Sequence, residues 1–379
     1  MDTQVIDQYI DNLMTKSTAE FPIWNIEKAR AGKKSGWDYI DGCMIMALLE
    51  IYNTTSDPKY LKFADYYEDY RIAEDGTISG YDKETWNCDE INGGKNLFTL
   101  YRLTGKKKYK NALEKLYEQV KDQPRTKEGN FWHKLIYPNQ VWLDGLYMVQ
   151  PFYMEYETSF TSGKEVDDIY NQFFNVYKIM RDPETGLYYH GYDSSREAFW
   201  ANKETGLSKN FWLRSLGWYS MALLDTLNHA PDKECENWNK LKSILIDLCE
   251  SMLKFQDESG MWYQVPNMQS REKNYLETSG SAIYAYSLLK GYRTGILEDV
   301  KFQEAGIKAF EGICEKYLNT DSGDLSLGGI CLVAGLGPEN NPRRDGSYEY
   351  YMSEPIVQDD AKGVGPFILA YNEYRQIKK

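Results

Sequence analysis

The chain has 379 residues, enough for two or three average domains or for one large domain built from repeats. With 44 Lys and Arg against 57 Asp and Glu, its formal net charge is −13, which argues against nucleic acid and anionic membrane surfaces as partners. A local cluster of cations would still allow an anionic small substrate. The 32 Tyr and 10 Trp suit sugar stacking, and equally suit long helices that pack through Tyr.

The N-terminal stretch MDTQVIDQYIDNLMTK is amphipathic and acidic, without a signal-peptide layout. No run approaches the roughly 20 apolar residues of a membrane span, so a soluble, cytoplasmic protein is expected. Cys43, Cys88, Cys235, Cys249, Cys314 and Cys331 are scattered without metal-like spacing, and are expected to be reduced, mostly buried thiols.

Helical periodicity dominates the chain. Residues 4–16 form a first amphipathic helix, 37–52 a far more apolar one, and 58–71 a charged one. The stretch 89–103 is apolar and 107–121 charged. Residues 141–157 are apolar and 165–180 mixed; 211–228 are apolar and 235–255 mixed. The segment 277–293 is apolar and rich in small residues, 300–317 is mixed, and 360–375 ends the chain. Polar and apolar helices thus alternate, with apolar ones starting roughly every 50 to 80 residues. Each hairpin then gives one helix to an inner ring and one to an outer ring, and six hairpins make an all-α (α/α)6 barrel. Loops before the inner helices are long and those at the other end short, so function is expected where inner helices begin. No Pro-, Gly- or Ser-rich linker divides residues 1–379, which favours a single domain.

The starts of the inner helices carry the unusual chemistry. Asp144 lies in the apolar run NQVWLDGLYM, near a helix start. Apolar surroundings disfavour a charged carboxylate, whereas a helix N-terminus favours it. Asp89 holds the matching position on the preceding inner helix. Two such carboxylates facing each other over the pore would keep one protonated as a general acid. The plain alternative is that each merely caps its helix. His133, His190, Lys134 and Arg214 would form a cationic rim in an acidic protein, suited to a carboxylate ligand. His229, at the far end of an inner helix, is read as structural. Trp212 suits sugar stacking, and Trp218, on another face of the same helix, suits core packing. The histidines and aspartates lack metal-ligand spacing, and no nucleotide-binding or serine-nucleophile motif is present, so neither metal nor cofactor is expected.

At these residues the chain resembles glycoside hydrolase family 105, the unsaturated rhamnogalacturonyl hydrolases, and more distantly the unsaturated glucuronyl hydrolases of family 88. The resemblance is carried by NCDEINGGKNL at Asn87, FWHK at Phe131, VWLDGLYM at Val141 and YYHGYD at Tyr188. It continues in FWLRSLGW at Phe211, ETSGSA at Glu277 and SEPIVQDDAKGVGPF at Ser353. It implies an (α/α)6 barrel that removes a 4,5-unsaturated uronic acid from the non-reducing end of lyase-generated oligosaccharides, by acid-catalysed hydration of a vinyl ether. It also implies that Asp144 is the proton donor and Asp89 the second acid. Lys134, His190, Trp212, Arg214 and Trp218 match substrate-contacting positions, with Tyr39 as a further contact; His133 is taken as substrate-binding from its place in the loop before the third inner helix. Lys362 has no assigned role. The alternatives are another (α/α)6 sugar enzyme, either an inverting glycosidase or an epimerase, and a non-catalytic sugar-binding relative.

Overall fold

Apolar and polar helices alternate along the chain because the fold sorts them into two rings. The structure, a computed structural model, describes residues 3–321 and 323–377. In chain order, α1 (Thr3–Thr15) leads to the short α2 (Ile26–Arg30), then α3 (Tyr39–Thr55) and α4 (Pro58–Asp69). Next come α5 (Cys88–Ile91), α6 (Gly94–Thr104), α7 (Lys107–Asp122), α8 (Leu143–Tyr156) and α9 (Val166–Met180). Then follow α10 (Leu213–His229), α11 (Glu236–Leu253), α12 (Thr278–Arg293), α13 (Val300–Tyr317), α14 (Tyr348–Ser353) and α15 (Ala361–Ile377). Three short antiparallel ribbons stand in the long loops. They pair β1 (Gln140–Trp142) with β2 (Gly191–Asp193), β3 (Leu318–Asn319) with β4 (Ser326–Leu327), and β5 (Ile330–Cys331) with β6 (Ile356–Val357).

The inner ring runs α3, α5–α6, α8, α10, α12, α15, and α15 packs back on α3 to close it. Burial explains the composition. Nearly every residue of α8, α10, α12 and α15 is buried, because inner helices have neighbours on most sides. The outer helix α7 buries Tyr109, Ala112, Leu113, Leu116 and Val120 at helical spacing and leaves Glu114, Glu118 and Lys121 exposed. Helices α4, α7, α9, α11 and α13 pack on the inner ring. The sixth outer place belongs to α1. Tyr371 of α15 donates to Asp7 at 3.0 Å, and Lys59 of α4 pairs with Asp11 at 2.8 Å. The barrel therefore closes by joining the two ends of the chain. Small residues let the inner backbones approach: a Cβ on Gly42 would lie 3.1 Å from the Gly93 Cα, and one on Gly365 2.9 Å from the Cys43 carbonyl oxygen.

Three local expectations are corrected. The second inner helix, expected as one piece over 89–103, is broken between α5 and α6. At the break the Asn92 Nδ2 donates to the Tyr39 carbonyl at 3.2 Å, and a Cβ on Gly93 would lie 2.9 Å from the Trp37 ring. Close packing against α3 and Trp37 thus overrides helical continuity. Helices α8 and α10 start at Leu143 and Leu213, two residues later than expected; residues 140–142 belong to the β1–β2 ribbon instead. The short helices α2 and α14 were not anticipated.

The far end of the barrel is tied by ion pairs. Asp225 meets Lys290 at 2.9 Å, and Glu155 meets Arg102 at 2.8 Å and His229 at 3.5 Å. Lys95 is buried nearby, with its Nζ donating to the Tyr147 carbonyl at 3.1 Å, and burial pushes its ammonium down to about 7. No described helix is long and apolar enough to cross a membrane.

Candidate active site

At the end where inner helices begin, a cavity of about 500 Å³ opens, a size typical of small-ligand sites. Asp38, Tyr39, Asp89, His133, Lys134 and Asp144 all line it. The two aspartates therefore share one cavity.

The local sequence explains how each acid is held. Asn87 caps α5 by accepting from the Asp89 N–H at 3.1 Å, which places Asp89 in the first turn. Trp142 holds the N-cap position of α8 without a side-chain cap bond, and Asp144 lies just inside the helix. Neither aspartate is the N-cap residue of its helix; both lie in the first turn. The β1–β2 ribbon sets Trp142 opposite Gly191, and the Leu143 N–H donates to the His190 carbonyl at 3.1 Å. This pairing brings His190 beside Asp144.

The two acids have different partners. The Lys134 Nζ lies 2.6 Å from Asp89 Oδ2, and His133 Nε2 lies 3.6 Å from Asp89 Oδ1. Burial works to raise the Asp89 carboxyl, but the Lys134 charge and the adjacent His133 outweigh it and hold Asp89 below the usual carboxylate range. Asp144 Oδ2 lies 3.2 Å from His190 Nε2. That distance suits an ion pair, yet both atoms are buried without an aligned hydrogen bond. His190 is fixed from its other nitrogen, which lies 2.8 Å from the Tyr351 hydroxyl.

His133 is wedged under the site. Its ring stacks on Trp142 at 4.4 Å, and burial lowers its pKa to about 4, so it is neutral at physiological pH. Gly145 makes room for it, since a Cβ there would lie 2.9 Å from His133 Nδ1. Asp38 caps α3 through the Asp41 N–H, and burial together with neighbouring Asp41 raises it to about 7.

The cationic rim expected from His133, His190, Lys134 and Arg214 is not built. His133 is neutral, and Lys134 is engaged by Asp89. Arg214 is fully buried; its guanidinium donates to Ser279 Oγ at 3.2 Å and to the Cys331 carbonyl, which ties α10 to α12 and β5. Trp212 is buried beside His190 and parallel to Tyr351, with the Arg214 guanidinium 4.7 Å from its ring. Trp212, Arg214 and His190 are not among the residues that line the cavity, and His190 stands beside Asp144. Trp218, matched to a substrate-contacting position by the resemblance, is buried and stacked on Tyr147 at 4.8 Å, apart from the residues that line the cavity. Glu277 caps α12 and also accepts from the Cys331 N–H at 3.0 Å. Lys362 is fully buried, 2.7 Å from Glu27 and 3.0 Å from Asp360, so it locks the start of α15 to α2 behind the cavity wall.

Sequence reasoning missed Glu27, Lys28, Tyr137 and Arg344, all of which line the cavity. Glu27 and Lys28 lie on the five-residue α2, too short to show periodicity. The cluster of Asn25 followed by Glu27 and Lys28 was the one available signal of a capped turn.

Comparison with known proteins shows the family and the fold. A family model described as Glycosyl Hydrolase Family 88 matches residues 5–378. A solved glycoside hydrolase of family 105 from C. acetobutylicum is 43% identical, with 99% of each chain covered and a TM-score of 0.90. Protein Atu3128 of Agrobacterium fabrum is 40% identical over 227 residues, which is 59% of this chain and 96% of that protein. The unsaturated rhamnogalacturonyl hydrolase YesR of Bacillus subtilis is 25% identical over 259 residues, 67% of this chain and 70% of that one.

Proposed function

The chain belongs to the family 88 and 105 glycoside hydrolases, and from that premise we propose that it removes 4,5-unsaturated uronic acids from the non-reducing end of lyase-generated oligosaccharides. Unsaturated rhamnogalacturonides, as produced from pectin, are the first candidates, and unsaturated glucuronides the second. Residues 1–379 act as one catalytic domain in this reading.

The supporting observation is the asymmetry of the two acids that share the cavity. Asp89 is paired with Lys134 at 2.6 Å, whereas Asp144 has no lysine or arginine partner among the described residues and faces the His190 ring at 3.2 Å. The substrate needs such a pair. Its C4=C5 bond is a vinyl ether joined to the ring oxygen. Asp144, acting as general acid, delivers a proton to C4, and positive charge develops at C5, shared with the ring oxygen. The resulting Asp144 carboxylate takes a proton from water as that water adds to C5. The product is a hemiketal; the ring then opens, and the aglycone leaves from C1. Asp89 stays ionised and accepts hydrogen bonds from sugar hydroxyls. His190 orients Asp144, while Tyr39, His133 and Lys134 shape the sugar site. Trp212, Arg214 and Trp218 act from behind this wall, by holding His190 and the surrounding helices. Proton delivery goes to carbon, so carboxylate-separation rules for retaining and inverting enzymes do not apply.

A direct assay tests the proposal. Hydration removes the conjugated double bond and with it the ultraviolet absorbance of the unsaturated sugar. A panel of lyase-generated disaccharides should lose absorbance with the protein present. An epimerase would leave that absorbance intact, and so would a protein that only binds sugar.

A further inference from the structure

Three charged residues stand in a row on the loop between β5 and α14. Arg343 pairs with Glu354 at 3.0 Å, and Asp345 pairs with Lys209 at 2.7 Å. Arg344, between them, makes no ion pair or side-chain hydrogen bond among the described residues. It lines the cavity instead, and its Nε is sealed from solvent without an acceptor. An unpaired guanidinium donor carries a desolvation penalty that a bound acceptor would remove.

The loop holds this arginine in place. The Gly335 N–H donates to the Tyr350 hydroxyl at 2.9 Å, and the Gly337 N–H to the Arg344 carbonyl at 2.8 Å. The Asn210 amide donates to the Gly346 carbonyl at 2.8 Å. Beside Gly335, the Arg344 guanidinium also approaches Trp142: a Cβ at 335 would lie 3.5 Å from Arg344 Nη1 and 3.2 Å from the Trp142 ring. The other cavity cations suit an oxyanion less well. Lys134 is engaged by Asp89, and Lys28 is a point charge without a planar fork.

We infer that Arg344 is the anion-binding residue of this cavity, which grips two oxygens of a carboxylate or sulfate on the sugar substrate and so sets specificity. The inference rests on the proposed uronide substrate. Two groups share this chemistry: the carboxylate of the unsaturated uronic acid itself, and an acidic substituent on the aglycone. A guanidinium meets either through paired N–H groups.

The test compares kcat/KM on three substrates: an unsaturated uronyl-rhamnose, its uronate methyl ester, and the same disaccharide sulfated on rhamnose. The first pair reports on the uronate and the second on the aglycone. The unmutated protein should favour the charged member of at least one pair. In Arg344→Ala that preference should shrink about tenfold or more, chiefly through KM. Arg344→Lys should recover part of it, which shows that the loop still folds, and Lys28→Ala should retain it in full. Arg344→Ala with both preferences intact would overturn the inference alone, provided the substrates are consumed. If the unmutated protein consumes none of the three, the hydrolase reading fails and this inference fails with it.

Discussion

Asp89 and Asp144 look alike in sequence, but replacing each with asparagine should have opposite consequences. In Asp144→Asn the shape is kept, and the altered oxygen or its twin takes the place of an atom with no hydrogen-bond partner. No aligned hydrogen bond is lost, only the 3.2 Å approach of His190, so stability should change by less than about 0.5 kcal/mol. In Asp89→Asn the Lys134 ammonium loses a carboxylate 2.6 Å away. Breaking a fully buried pair costs about 3–5 kcal/mol. The Lys134 side chain retains 22% exposure, so water recovers part of that, and about 1–3 kcal/mol is expected. Unfolding entropy near 2.1 cal/mol/K per residue gives about 0.8 kcal/mol/K over 379 residues. Asp89→Asn should therefore lower Tm by about 1–4 °C, and Asp144→Asn by under about 1 °C. Turnover should show the reverse order: Asp144→Asn loses about 10²–10⁴-fold, the range of a general acid. Calorimetric melting and absorbance loss on an unsaturated disaccharide measure the two effects. Near-normal turnover by Asp144→Asn would remove it from the mechanism. A Tm loss as large as that of Asp89→Asn would refute the pairing described for the two acids.

Other expectations concern the groups packed around the pair. Burial lowers His133 from 6.5 to about 4, so the unfolded chain binds more protons between those values, and His133 should cost stability as pH falls through that window. His133→Phe should flatten that acid-side slope in denaturant titrations, while leaving the rate profile between about pH 6 and 8 unchanged in shape. Gly145→Ala places a methyl 2.9 Å from His133 Nδ1, and turnover should fall about tenfold or more as the ring is pushed from Trp142; unchanged kinetics would show that the ring position is unimportant. At the far end, burial lowers Lys95 from 10.5 to about 7, so stability should rise with pH between those values. Lys95→Met should abolish that component, and an identical slope in both proteins would contradict the buried placement of Lys95.

The ring architecture was legible because burial leaves a compositional trace. Helices such as α10 and α12 are buried on nearly all sides and therefore read as apolar throughout, whereas α7 shows a single apolar stripe. The break after Ile91 left no such trace, since it depends on Trp37 and Tyr39 arriving from another helix. The three-residue strands were hidden for a related reason: the β1–β2 ribbon joins segments about fifty residues apart, and neither segment is long enough to show alternation. In the site, Asp89, Asp144, His133, Lys134 and Tyr39 were found from their positions at or before inner-helix starts. What each does electrically was hidden. The neutrality of His133 and the engagement of Arg214 with backbone carbonyls follow from burial and partners that only the folded chain supplies.

The orientation of the barrel bears on how an acidic protein would take an acidic sugar. Inner helices present their N-termini, with positive dipole ends, to the cavity and their C-termini to the far end. At the far end the last turns carry Arg102, His229, Lys290 and Arg293. At the cavity end the first turns and caps carry Asp38, Asp89, Asp144 and Glu277. The cavity-end N-termini are thus faced by acidic side chains, of which Asp38 is raised to about 7 by burial, while the far-end cations stand with Asp225 and Glu155. The positive ends that would otherwise attract an anion are consequently already faced by carboxylates. A uronide entering the cavity needs a cation that the fold has not already engaged. Lys134 is held by Asp89 and Arg214 by backbone oxygens, whereas Arg344 comes from a loop outside the helical ring and is engaged by neither. On this reasoning, charge selection belongs to the loop and proton delivery to the helix starts. Substituting Arg344 should then change which substrate is chosen far more than how fast a bound one reacts.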